Sequence, residues 1–274
     1  MMTFAKQRFY SIVVTLALAG VLWLVFNVYA VTLHDTRFVS GWILLGLMLA
    51  LTLLNVRKKL PFLPLGDAAN WLRFHVYAGI FALILFCVHV QFQIPGGGLE
   101  SMLAILLAGV LLSGFIGLWF THRLPQRLTT RGETILFERI AVLMREIAWD
   151  VKRQVLSSVE EANSKLIPDF YASRLAGFFE RPRYFFFHLS ESERPMKRIL
   201  GEIDGLNRYA SAKEKEVLRR LSQQVVAKNY LDYQYALQWV LKAWLFVHVP
   251  LTYCLLLVSV LHVIVGYDYR GNVH

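Results

Sequence analysis

The sequence predicts an all-α membrane protein of five transmembrane helices in a bundle, with a helical cytoplasmic insert between the fourth helix and the fifth. Two observations predict it. Charged residues make up 18% of the 274 positions and hydrophobic ones 56%, where a soluble domain carries about 25% charged residues. The deficit is concentrated: no Asp, Glu, Lys or Arg occurs between Arg8 and Asp35, Arg37 and Arg57, Arg73 and Glu100, Glu100 and Arg123, or Lys242 and Asp268. Each of these stretches is 19 to 26 residues long, and roughly 20 predominantly apolar residues span a bilayer as a helix. The second observation is charge placement. The 29 Lys and Arg exceed the 19 Asp and Glu by ten, and all of the basic residues except Arg37 and Arg270 fall on one side of a five-crossing topology. Positive charge marks the cytoplasmic side. The N-terminus is therefore expected inside and the C-terminus outside, in a bacterial cytoplasmic membrane. The basic surplus reports orientation and implies no nucleic-acid partner.

The elements follow in order. The first helix covers about Phe9–Leu33; its apolar run is longer than a signal-peptide core and lacks a small-x-small site, so it reads as an anchor. The second covers Phe38–Val56. Residues 57–70 return on the inside, with Pro61, Pro64 and Gly66 as breakers and Asp67 as an N-cap. The third helix, Ala68–Ile94, stops at Pro95-Gly96-Gly97-Gly98, and the fourth, Ser101–His122, stops before Pro125. Residues 1–122 thus hold helices one to four, 123–238 the insert, and 239–274 the fifth helix with a short outer tail. Within the insert, Ile135, Leu136, Ile140, Leu143, Ile147, Val151 and Val155 recur at helical spacing. Val217, Leu218, Leu221, Val225 and Leu231 do so again and run without a breaker into the fifth helix at Trp239. Between them lies an aromatic cluster, Phe170, Tyr171, Phe178, Phe179 and Tyr184 to Phe187. It reads as the core of a small bundle, with docking to the membrane interface or a partner as the alternative.

The two cysteines, Cys87 and Cys254, lie in different apolar stretches, and no CxxC, CxxCH or four-cysteine run exists. Covalent c-type haem, an iron–sulfur cluster held by this chain alone and a CxxC zinc site are thereby excluded. Both thiols are expected as small buried hydrophobes.

Four of the eight histidines sit inside apolar helices: His75 and His89 in the third, His248 and His262 in the fifth. An ionisable side chain in a membrane helix is costly and marks a candidate site, although a single one can serve only as a cross-helix hydrogen bond. Spacing decides between these readings. Both pairs are 14 residues apart. At about 100° per residue, 14 residues return to within about 40° of the starting face and rise about 21 Å, two-thirds of a hydrocarbon core of roughly 30 Å. Each helix therefore presents one imidazole towards each leaflet. Both helices run from inside to outside. His89 stands six residues before Pro95 and His262 six before Asp268, which sets His89 level with His262 and His75 level with His248. Two facing pairs at two depths suit two haem b groups, with His75 and His248 on the inner iron and His89 and His262 on the outer. Imidazole is an ordinary axial haem ligand, and helix bundles build such sites in their interiors. Zinc is the competing metal, but two ligands at each depth leave a tetrahedral site incomplete.

Neighbouring residues extend the candidate site. Gly79 and Gly266 follow His75 and His262 by one turn, where a missing side chain admits a flat macrocycle; ordinary helix packing explains them equally. Gly109, Gly114 and Gly117 are ambiguous in the same way. Arg73 and Lys242 at the inner face, and Arg37 and Arg270 at the outer, could neutralise haem propionates or serve only as interfacial anchors. His34 and His122 lie at membrane ends as interfacial polar residues, and His188 and His274 have no matched partner. Pro250, two residues after His248, is a candidate kink.

The pattern His75-x13-His89 with His248-x13-His262 resembles the dihaem membrane cytochromes b. These include the cytochrome b of quinol–cytochrome c reductases and, closer in helix placement, the ferric reductase/NADPH oxidase transmembrane domain. The resemblance covers the membrane core, about half the chain. It implies electron transfer across the membrane through stacked haems, with these four histidines as axial ligands. A flavin and nicotinamide domain, which a ferric reductase or oxidase would carry after a sixth helix, is not expected here: the insert holds no Gly-rich dinucleotide fingerprint, and the Pro-Glu-Trp-type loop of quinone-oxidising cytochromes b is absent. The expected role is thus the cytochrome b subunit of a redox complex, without a catalytic site of its own. Its expected partners are other subunits: an iron–sulfur protein or flavoprotein on the cytoplasmic side, where the basic insert suits an acidic donor, and a c-type cytochrome outside. Quinone and the lipid bilayer complete the set. The rivals are a haem-free proton or metal transporter, which would want carboxylates along a path that the five stretches lack, and a haem-free scaffold subunit.

Overall fold

A computed structural model of the chain describes residues 12–18, 20, 21, 24, 36–59, 66–130, 133–162 and 165–271. The first expected span, Phe9–Leu33, lies largely outside the described residues, as do His34, Pro61, Pro64 and His274. Every regular element among the described residues is helical. We number them α1 (Thr36–Lys59), α2 (Ala68–His89), α3 (Gly98–Thr130), α4 (Phe137–Ala162), α5 (Leu166–Phe170), α6 (Ala176–Glu180), α7 (Phe185–Leu189), α8 (Arg194–Leu206) and α9 (Ala212–Gly271), with a π-helical turn at Tyr171–Leu175 between α5 and α6. The chain forms two compact units: Met1–Ile116 with Phe246–His274, and Gly117–Leu245. The second takes in the whole of the 123–238 segment.

Among the described residues four helices are long and apolar enough to cross a membrane, over Arg37–Asn55, Ala68–His89, Gly98–Thr129 and Ala212–Asp268. In the first unit Leu44, Met48, Ala82, Leu85, Leu107 and Leu255 form the buried core. Equally apolar side chains face outward: Ile105, Leu112, Phe246 and Leu257 are 64–82% exposed. Helices apolar on both the inner and the outer face belong in lipid, and the chain is a membrane protein.

Two helix ends differ from expectation. α2 stops at His89, not Ile94. Gln91 and Phe92 turn left-handed, with φ of 53° and 56°. The Phe92 N–H donates to the Cys87 carbonyl at 2.9 Å and the Gln91 N–H to that of Val88 at 3.0 Å. This is the 6→1 and 5→2 closure that usually employs glycine; here Arg37 holds the Gln91 side chain, with Nη2 2.6 Å from Oε1. α3 does not stop before Pro125 but runs through it to Thr130. A proline inside a helix costs about 3 kcal/mol. Leu124 and Leu128 beside it are 2% and 7% exposed and pack with Tyr233 and Leu237, and burying such a side chain returns about 1.5–3 kcal/mol each. Asp67 occupies the α2 N-cap position, yet only its backbone carbonyl caps, accepting from Asn70 and Trp71.

The second unit is a helical bundle. Its core joins Val151 and Val155 of α4, Phe178 and Phe179 of α6, Ile199 and Ile203 of α8 and Leu218, Leu221 and Val225 of α9. Leu136 departs from the expected apolar face at 72% exposed, because it precedes α4. The aromatic cluster divides: Phe178 and Phe179 are buried, Phe170, Tyr171 and Tyr184 pack against the core, and Phe186 is 80% exposed. α9 begins with a capping box, the Ser211 N–H donating to Glu214 Oε2 at 2.8 Å and the Glu214 N–H to Ser211 Oγ at 3.4 Å. Farther along α9, fully buried Lys228 reaches Asp232 Oδ2 at 2.6 Å and the Arg181 carbonyl at 2.8 Å, clamping the segment before α7.

Within this unit α3 and α9 meet where Gly117 is buried against Trp244, and a Cβ on Gly117 would clash with Cζ2 of the indole. Gly117→Ala should therefore destabilise the protein by about 1–3 kcal/mol through overpacking, read as a lower unfolding temperature in detergent. An unchanged temperature would remove this contact from the account.

Candidate functional site

All four intramembrane histidines belong to the first unit, where each is half-buried. α2 carries His75 and His89, and α9 carries His248 and His262. The structure brings His75 and His248 together, with ring centroids 6.4 Å apart and planes at 74°. His89 and His262 line one cavity of about 510 Å³. The α2 and α9 segments of this unit therefore run parallel and in common register.

A hydrogen bond fixes which nitrogen of His75 bears the proton. His75 Nδ1 lies 3.1 Å from the Leu51 carbonyl. A carbonyl only accepts, so Nδ1 is the donor and Nε2 carries the lone pair. His248 Nδ1 lies 2.7 Å from Ser113 Oγ, which itself stands 2.8 Å from the Val110 carbonyl. His89 Nδ1 lies 3.0 Å from Ser40 Oγ, which donates to the Arg37 carbonyl at 3.0 Å. At His75, therefore, Nε2 is left as a Lewis base, and at His89 and His248 a serine hydroxyl takes the carbonyl's place beside Nδ1. Metal-bound histidines characteristically donate their second ring nitrogen in this way.

A Ser-Gly pair recurs behind two of these rings. Gly41 follows Ser40, and a Cβ on it would stand 3.1 Å from His89 Cε1. Gly114 follows Ser113, and its Cβ would stand 3.8 Å from His248 Cε1. Serine supplies the acceptor while the adjacent glycine makes room for the ring edge. Ser40, Gly41, Ser113 and the Leu51 carbonyl were not anticipated from the sequence. The signal was there, in the dipeptides Ser40-Gly41 and Ser113-Gly114 within otherwise apolar helices, but both residues are common in membrane-helix packing.

The cavity at His89 and His262 has apolar walls from Leu44, Met48, Phe86, Leu107 and Leu255. Arg37 and Glu100 add one group of each charge. Phe38, Trp42 and Tyr267 close one side as three mutually edge-on rings, 5.6–6.4 Å apart, joining α1 to α9. Its volume falls within the roughly 300–1,000 Å³ of small-molecule and cofactor pockets.

The remaining candidates are placed as follows. Gly266 lines the cavity, and a Cβ at Gly266 or Gly79 would meet nothing within 4 Å. Arg73 is half-buried on α2. Two residues from His75, it leaves the helix about 200° around from that ring. Gly109 packs on Leu251. Lys242 pairs with Glu138 at 2.7 Å and covers the Phe137 ring at 3.9 Å. The Arg270 side chain lies outside the described residues. His122 is exposed and His188 is buried in the second unit. Cys87 and Cys254 are both free thiols, and neither is buried as expected: Cys87 is half-buried and Cys254 exposed. α9 continues through Pro250 as one helix. No protein-family description, curated protein or solved structure matches this chain.

Proposed function

We propose that this chain is the membrane cytochrome b subunit of a redox complex, moving electrons across the bilayer through two b-type haems. His75 and His248 would hold one, and His89 and His262 the other. The observation that carries the reading is the His75–His248 pair. Metal–imidazole bonds of about 2 Å on either side of one metal atom, with each ring centre about another ångström beyond its nitrogen, separate two centroids by roughly 6 Å. The rings stand 6.4 Å apart, and the Nδ1 of each is hydrogen-bonded to an oxygen of another helix. The donor set fits the group. Two imidazoles leave most of a metal's coordination sphere to a non-protein ligand, and among the described residues no three His, Cys, Asp or Glu stand together to complete a protein-only site.

Haem iron, when bound, supplies one-electron redox chemistry. The chain's own residues do the rest. The histidines bind through Nε2, while Ser40, Ser113 and the Leu51 carbonyl set ring orientation and raise ligand basicity. The aliphatic wall at His89 and His262 excludes water, and Arg37 offers a cation to a carboxylate-bearing ligand. Donor and acceptor would be other subunits, such as an iron–sulfur protein, a flavoprotein or a c-type cytochrome, or quinone.

Detergent-purified protein should show a b-type reduced-minus-oxidised spectrum and two haems per chain. His75→Ala and His248→Ala should each remove one and the same haem, and His89→Ala and His262→Ala the other, as read by haem content and redox titration. Unchanged haem content in all four variants rejects the assignment, and folded protein without haem despite adequate supply favours a transporter or scaffold. The glycines give a finer readout. Gly41→Ala forces the His89 ring to give way by a few tenths of an ångström, whereas Gly114→Ala makes only ordinary contact with His248. The first should shift the potential or ferric EPR signal of the haem on His89 and His262; the second should leave both haems unchanged.

A further inference from the structure

Helix α7 presents Phe186 and Phe187 outward, 80% and 44% exposed, beside Trp239 at 45%. It is firmly mounted. Arg127 of α3 donates to the carbonyls of Leu189 and His188 at 3.0 and 2.8 Å and pairs with Glu191. Phe185 stands edge-on to Trp239 at 5.4 Å. Two adjacent phenylalanines fixed outward on a rigid mount form an apolar patch, and such a patch marks an interaction surface.

Position identifies what covers it. Trp239 precedes Ala243, where the charge-free stretch of α9 begins, by four residues, about 6 Å of helix rise. The polar layers flanking a hydrocarbon core of about 30 Å are each roughly 5–8 Å deep. α7 therefore sits against the part of α9 that passes through this layer, where aromatic side chains concentrate. The segment leading into α7 exposes Arg181 and Arg183, cations suited to lipid phosphates. We propose that α7 is an interfacial foot: Phe186 and Phe187 insert at the headgroup–acyl boundary of the bilayer and tie the second unit to the membrane surface.

The test uses the full chain in phosphatidylcholine–phosphatidylglycerol nanodiscs, with Cys87→Ala and Cys254→Ala to remove native thiols. Phe186→Cys and, separately, Phe187→Cys carry a nitroxide. Tyr209→Cys, at a position of the same unit that is 80% exposed, serves as the aqueous reference. All three should match the parent in helical content and elution. Power saturation should show oxygen collisions dominating over a water-soluble nickel chelate at 186 and 187, with the reverse at 209. Chelate access at 186 and 187 equal to that at 209 overturns the proposal. So does a label immobilised and shielded from both reagents, which would mean that another protein surface covers the patch.

Discussion

An imidazole inside a bilayer keeps a polar N–H that lipid cannot satisfy, and in this chain neighbouring helices supply the acceptor. α1 serves α2 twice, through Ser40 to His89 and through the Leu51 carbonyl to His75. Those acceptors are eleven residues apart, three turns plus about 20°, so both face α2 along one line. A cross-helix hydrogen bond in a membrane stabilises by only about 0.6–2 kcal/mol. A slip in register, however, would leave two donors in hydrocarbon at several kcal/mol each. The two bonds matter less for stability than for fixing where α1 stands against α2.

The same rule governs α9. Ser113 holds His248, Asn55 donates to the Tyr253 hydroxyl at 3.0 Å, and Tyr267 closes the ring cluster with Phe38 and Trp42. These contacts reach α9 from α3 and α1 at three heights. They keep the α9 segment of this unit level with α2, so that equal spacing along the two helices becomes adjacency in space. The close approach depends on Gly41, which lets the His89 ring lie against the α1 backbone.

Much of this was legible in the sequence because it is carried by pattern. Charge-free stretches mark the spans, and a spacing of 14 places two imidazoles on one face. Helix ends were less legible, since they depend on contacts distant in the chain. Gln91 takes a position that sequence reasoning reserves for glycine, and its holder, Arg37, lies 54 residues away. Pro125 is tolerated because α9 buries the leucines on either side of it. The start of α9 carries a signal that went unread, the capping box Ser211-Ala212-Lys213-Glu214, whose two end residues bond reciprocally. The aromatic cluster divided because a five-residue helix such as α7 is too short for periodicity to show which ring faces inward.

Polar burial is solved differently in the two units, and the contrast bears on chemistry. In the second unit Lys228 and Asp232 are both fully buried and compensate each other's charge. In the first, the described hydrogen bonds of His75, His89 and His248 run to neutral oxygens, a carbonyl and two hydroxyls. A proton-carrying histidine must exchange protons at its ring nitrogens. The His75 Nδ1, facing a carbonyl that can only accept, keeps its proton in place. Its Nε2 is left with the lone pair, which is the requirement for a ligand to a metal rather than for a station on a proton path.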